Sequence, residues 1–162
     1  MAADFMADIT ATENLCNIMV ALIHPDLYRA SLESISKIKI DKSLVARYHE
    51  NIQLWPSVFS AIQAIVNRRT PSHRDEGGFP TSYDLLLSLG TYSEARMILR
   101  EIGASFRYTP GSVVFLSGKV LLHECESWSG GERICVAHFI KDNVHERCGV
   151  QRPSWPTEKD II

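Results

Sequence analysis

What most restricts the fold of this chain is a change of texture at Trp55-Pro56. From Ser57 to Ile140 the sequence is cut into short runs rich in Val, Ile, Leu, Phe and Tyr: SVFSAIQAIVN, SYDLLLSLG, ARMILR, ASFRYT, GSVVFLSG, KVLLHEC and RICVAHFI. Between them stand GGFP, PG, SG and SGGE, residues that turn a chain more readily than they extend it. Several short strands at this spacing indicate an all-β barrel or sandwich. The first third of the chain reads differently. Thr12 can cap ENLCNIMVALI, Pro25 can open DLYRASLESISKI and Asp41 can cap KSLVARYHE, which predicts three short helices packed outside the β-structure. The expected organisation is one mainly β domain with N-terminal helices, of α+β class. Residues 1–54 form the helical support, 55–149 the β core, and 150–162 a proline-bearing tail along the surface.

Composition agrees with one compact domain: 162 residues, 45% hydrophobic, no biased tract. No apolar run approaches the roughly 20 residues that span a bilayer. The start, MAADFMADIT, lacks the basic and apolar regions of a signal peptide. The expectation is an intracellular protein without a membrane partner. Cys16, Cys125, Cys135 and Cys148 form no C-x-x-C pair, so reduced thiols are the default reading. A net charge of -2 carries no electrostatic signature of nucleic-acid binding. Any such partner has to be argued from the site, and the sequence sets no oligomeric state.

The stretch TPSHRDEGGFP places His73 and Asp75 two residues apart. In an extended strand they project to one face while Arg74 points away. A third ligand is available in His123, within KVLLHECESWSGGER on a strand that returns along the β core. Two histidines and one carboxylate on one face of a metal are the set used by non-haem Fe(II) oxygenases. Ten residues beyond His123, Arg133 offers a planar guanidinium that can grip a carboxylate through two hydrogen bonds. Along its strand Cys135, Ala137 and Phe139 share its face, and His138 faces the other way. Plainer readings stand beside these. His73-x-Asp75 is an ordinary solvated loop, Arg133 a surface partner of Glu132 or Glu126, and Cys125, Cys135 and His138 with His123 a zinc site of unusual spacing. His24, His49, His138 and His145 read as surface or helix-end histidines without a role.

His73-Arg74-Asp75, His123 and Arg133, with YTPGSVVFLSGKVLLH and GGERICVAHFI around the last two, resemble the Fe(II)- and 2-oxoglutarate-dependent dioxygenases. More narrowly, SYDLLLSLGTYS, PGSVVFLSGKVLLHE and ERICVAHFIKDNVHERCG resemble the fungal branch of the TET/JBP-like nucleic-acid-modifying oxygenases, over about Trp55 to Gly149. The resemblance implies a double-stranded β-helix, or jelly-roll, barrel. It implies Fe(II) on the catalytic residues His73, Asp75 and His123, 2-oxoglutarate on Arg133, and dioxygen as co-substrate. Arg68, five residues before His73, resembles a second arginine on 2-oxoglutarate. Cys135 stands where many relatives place a serine or threonine hydroxyl on that acid, and Phe139 where an aromatic stacks on a flipped base. The implied partner is DNA carrying a methylated base, 5-methylcytosine first and N6-methyladenine second, in the nucleus. Two alternatives stay open: a hydroxylase of a protein side chain or small molecule, and a barrel that binds without catalysing.

Overall fold

The computed structural model describes residues 2–48 and 50–160, and its contacts divide the chain into two compact units. One combines the N-terminal segment up to Ser60 with the segment from Asp142 onward; the other is Ala61–Lys141.

The first unit is helical. Helix α1 spans Ala2–Ile23, α2 Pro25–Ile40, α3 Lys42–Tyr48 and α4 Asp142–Cys148, with 3-10 turns at Glu50–Leu54 and Glu158–Asp160. Pro25 opens α2, where its missing N–H costs nothing. The cap before it is His24, whose Nδ1 accepts from the Leu27 N–H at 3.3 Å. Asp41 closes α2 and starts α3, its carboxylate accepting from the Ser43 N–H at 2.9 Å. Thr12 does not cap a helix. The run ADFMADITA is rich enough in helix formers to carry α1 through it, and Thr10 bonds back to the Met6 carbonyl at 2.6 Å.

Two further expectations change here. Ala3–Ile23 has a hydropathy of 1.2 over 21 residues, so one helix among the described residues is long and apolar enough to cross a membrane by length and composition. The sequence reading misses it because Asp4, Asp8 and Glu13 break the apolar run. His24 and His145 are buried and not surface residues. His24 sits under the start of α2, and His145 is enclosed where α4 packs against α2. His49 lies outside the described residues.

The second unit holds the strands β1 (Ala61–Val66), β2 (Thr70–His73), β3 (Asp84–Gly90), β4 (Arg96–Leu99), β5 (Ala104–Arg107), β6 (Val113–Leu116), β7 (His123–Cys125) and β8 (Arg133–Phe139). They form two four-stranded antiparallel sheets, β1-β8-β3-β6 and β2-β7-β4-β5. Leu86, Cys135 and Ala137 from the first sheet share a buried core with Met97 and Cys125 from the second, and Tyr92 and Tyr108 complete it. The molecule thus combines helices with antiparallel sheets, as the α+β reading expects. His138 departs from its expected surface place: it stands on the central strand β8, is fully buried, and its ring lies 3.2 Å from the Leu85 carbonyl of β3.

Two residues lock the start of β8. Asn67, at φ 49°, exchanges two bonds with Arg133: its side-chain oxygen accepts from the Arg133 N–H and its own N–H donates to the Arg133 carbonyl, both at 2.8 Å. On the other flank Gly90 is the register partner of Arg133, at φ 118°. A Cβ there would lie 2.0 Å from the Glu132 carbonyl oxygen, so only glycine lets β3 approach this closely.

Candidate active site

A cavity of about 220 Å³ opens between the two sheets. At one end β2 and β7 run antiparallel with His73 and His123 as register partners, and Asp75 follows two residues beyond His73. The His73 and His123 Nε2 atoms lie 3.6 and 3.5 Å from the two Asp75 carboxylate oxygens. The rings are 4.3 Å apart between centroids. One ligand atom from each of the three residues falls within 4.8 Å of the others, and within Ala61–Lys141 no other His, Cys, Asp and Glu side chains converge so, among the described residues. A zinc set drawn from Cys125, Cys135 and His138 therefore does not form with His123.

The donor chemistry of this end fits a divalent metal. His73 Nδ1 lies 2.9 Å from the Pro71 carbonyl, and His123 Nδ1 lies 3.0 Å from the Leu121 carbonyl. A carbonyl can only accept, so each ring carries its proton on Nδ1 and turns the Nε2 lone pair toward Asp75. Burial lowers the His123 pKa, with the neighbouring His73 adding to the shift, and this favours the neutral ligand form. The Asp75 N–H donates to the Gly118 carbonyl at 2.8 Å. A Cβ on Gly118 would lie 2.4 Å from one carboxylate oxygen of Asp75 and 2.4 Å from one of Asp84, so the absence of a side chain admits both acids. Asp84 is buried beside Asp75. Desolvation first, and then the Asp75 charge, push its carboxyl up to about 7.

The opposite end is a basic pocket in aromatic walls. Arg133 is 1% exposed, its guanidinium 5.6 Å from the Tyr108 ring centroid and 5.8 Å from that of Trp128. Nη1 donates to the Arg68 carbonyl at 3.2 Å, while Nε has no hydrogen-bond partner among the described residues. No carboxylate among the described residues pairs with Arg133. Glu126, one of its expected surface partners, bonds Arg100 at 3.0 Å instead, and buried Glu124 pairs with the same arginine. A buried cation with a spare donor and no counter-charge suits an acidic ligand.

The other expected residues line the same cavity: Arg68 at its exposed rim, then Cys135 and Phe139, with Ala137 between them on β8. Arg68 meets Arg133 through its backbone and not its guanidinium. The Cys135 thiol is 3.4 Å from the Tyr108 hydroxyl. Above the Phe139 ring lies the Lys141 ammonium, 4.4 Å from the centroid. Sequence reasoning does not find Tyr108, Trp128, Asp84 or Gly118. Tyr108 falls at the end of the alternating run ASFRYT, one residue past β5, but nothing in that run says that the fold carries it beneath Arg133.

Converging His73, Asp75 and His123 that could hold a metal, and a buried arginine suited to an acid, in one cavity between antiparallel sheets, fit a 2-oxoglutarate-dependent oxygenase. The Tet_JBP model, the oxygenase domain of the 2OGFeDO superfamily, matches residues 3–142, and the chain belongs to this family of Fe(II)- and 2-oxoglutarate-dependent dioxygenases. Its cofactor set is Fe(II) and 2-oxoglutarate, with dioxygen. The chain is similar to the bifunctional helicase and thymine dioxygenase JBP2 of Trypanosoma cruzi (strain CL Brener), 25% identical over 111 residues, covering 64% of this chain and 10% of that protein. A solved structure of NgTET1 in complex with 5mC DNA shares the fold, with a TM-score of 0.50 and 16% identity over 73% of this chain and 46% of that one. The chain thus spans a tenth of the curated relative and under half of the solved one.

Proposed function

We propose that this chain oxidises the C5-methyl group of a pyrimidine base in DNA, with 5-methylcytosine the first substrate. The observation that carries the reading is the single cavity joining the converging His73, Asp75 and His123 to the buried Arg133, whose Nε has no hydrogen-bond partner among the described residues. Substrate class rests on the family, on relatives named for thymine oxidation and for a 5mC DNA complex, and on Phe139 in the cavity wall. The strand order β1-β8-β3-β6 and β2-β7-β4-β5 supports reading the two sheets as the halves of a double-stranded β-helix.

In this reading His73, Asp75 and His123 hold Fe(II), and Arg133 grips the distal carboxylate of 2-oxoglutarate. Bound Fe(II), with that co-substrate and dioxygen, supplies the oxidation that turns a methyl C–H into C–OH as the acid is decarboxylated to succinate. The protein's own residues arrange the reaction. The Pro71 and Leu121 carbonyls fix both imidazole tautomers, Gly118 positions Asp75, and the Tyr108 and Trp128 rings keep water from Arg133. The Tyr108 hydroxyl stands beside Cys135 and supplies the strong donor that a thiol lacks. Arg68 adds positive charge at the rim. Phe139 stacks on a base that has left the duplex, since a methyl in the groove cannot reach the cavity floor. Action on DNA supports a nuclear location.

The test is anaerobic Fe(II) and 2-oxoglutarate binding, then turnover on methylated oligonucleotides read by mass spectrometry. A gain of one oxygen on the methylated base, matched by succinate, is expected. Consumption of 2-oxoglutarate with 5-methylcytosine, thymine and N6-methyladenine all unchanged, in single and double strands, would move the assignment to a protein or small-molecule hydroxylase.

A further inference from the structure

Gln63 is among the polar side chains of the pocket wall that the proposed chemistry leaves without work. Gln63 lies on β1, the edge strand of its sheet, and lines the same cavity as the metal-binding face and Phe139. Its side chain is exposed at the cavity mouth and makes no hydrogen bond to another described residue. The register fixes its place. Ala61 stands opposite Phe139 and Gln63 opposite Ala137, so Gln63 is the diagonal neighbour of Phe139 on the cavity-facing side, at the roughly 7 to 8 Å that long side chains bridge. Ala137 is the smallest side chain that could stand between them. A flat ring lying over Phe139 would extend across Ala137 and present its edge to the Gln63 amide.

We infer that Gln63 is the specificity-determining residue of the site, reading the polar edge of the ring stacked on Phe139; this rests on the base-oxygenase reading above. A carboxamide carries one donor and one acceptor side by side, and rotation by half a turn exchanges them. Cytosine and thymine each present an adjacent donor and acceptor on the pairing edge, in opposite order. A rotatable amide pairs with either, so Gln63 admits both 5-methylpyrimidines. Pairing of this kind to a base edge is worth about tenfold or more in discrimination.

The experiment uses the full chain loaded with Fe(II) and 2-oxoglutarate, on single-stranded oligonucleotides identical except for 5-methylcytosine, thymine or N6-methyladenine at one position. The parent is expected to oxidise the two pyrimidines within about tenfold of each other in kcat/KM. Gln63→Ala should lower kcat/KM on both pyrimidines by about tenfold or more. Gln63→Glu keeps the size but offers only acceptors, so it should fall at least as far. A Gln63→Glu protein within twofold of the parent would overturn the inference, because the side chain would then only fill space. So would an unchanged Gln63→Ala, or a parent preference beyond about a hundredfold for one pyrimidine. A parent that consumes 2-oxoglutarate and oxidises no base defeats the base-oxygenase reading itself and this inference with it, a result that needs no variant to recognise.

Discussion

The two ends of the cavity are built by opposite means. At the metal-binding end the backbone does the positioning: strand register sets His73 against His123, main-chain carbonyls hold both rings, and Gly118 holds the Asp75 N–H. His73 is still partly open to solvent, with 37% of its side chain exposed. At the Arg133 end side chains do it, as two aromatic rings flank a guanidinium that is buried and short of partners. A group fixed by main chain tolerates change in its neighbours and none in itself. A group fixed by packed side chains is sensitive to a wider circle, in smaller steps.

The largest effect expected from this contrast is at the metal end. Asp75→Ala removes the only carboxylate of the triad, so iron binding, followed by anaerobic titration, should fall below detection together with all turnover. Residual activity would show that the convergence of these side chains is not a metal site. At the other end Arg133→Lys keeps a charge but cannot reproduce a two-pronged grip. The KM for 2-oxoglutarate should rise on the order of ten- to a hundredfold, in line with hydrogen bonds to charged groups worth about 1.5 to 3 kcal/mol, while iron affinity holds. An unchanged KM would erase the difference between the two ends.

Asp84 sharpens the comparison through stability. Its folded pKa stands at about 7 against an ordinary 3.8, so between those values the metal-free folded state holds a proton that the unfolded chain has lost. Stability should therefore decline as pH rises from about 4 to about 7. Asp84→Asn removes that decline, raising unfolding free energy at pH 8 by a few kcal/mol, since every tenfold difference in proton affinity between the folded and unfolded chain is worth about 1.4 kcal/mol, with little change below pH 4. Denaturant titrations at the two pH values check it; equal gains at both would mean that Asp84 is not held protonated. The smallest effect should come from Tyr108→Phe, which keeps the ring under Arg133 and deletes one donor: a few-fold rise in the KM for 2-oxoglutarate with kcat nearly constant.

Legibility in the sequence followed the same division. His73 and Asp75 could be paired on paper because a spacing of two has one meaning in a strand, and Arg133, Cys135, Ala137 and Phe139 share the cavity for the same reason. The short runs after Trp55 mark the strands, although Ser57–Ser60 precede β1 and do not join it. Tyr108, Trp128 and Asp84 were invisible because long-range folding brings them to the site, and a strand run such as ASFRYT or SYDLLLSLG does not say which distant groups its side chains will meet. The start of α1 and the burial of His24, His138 and His145 escaped for a related reason, since polar residues say nothing locally about what will cover them. Gly118 shows the same limit. Its requirement comes from two acids distant in sequence.

The edge strand β2 matters beyond catalysis. β2 is four residues long, lies at the edge of its sheet, and meets β7 through two register pairs separated by an irregularity. Few ladder contacts hold such a strand. An ion held jointly by His73, Asp75 and His123 is a clasp across that seam, closing the chain into a loop from residue 73 to residue 123 and tying down that edge. Loading then acts as a maturation step. Fe(II) at a hundred times its dissociation constant should add about 2.7 kcal/mol to the folded state, and protease cleavage near Arg68 and Arg69 should slow as metal is supplied, whether or not any co-substrate is present.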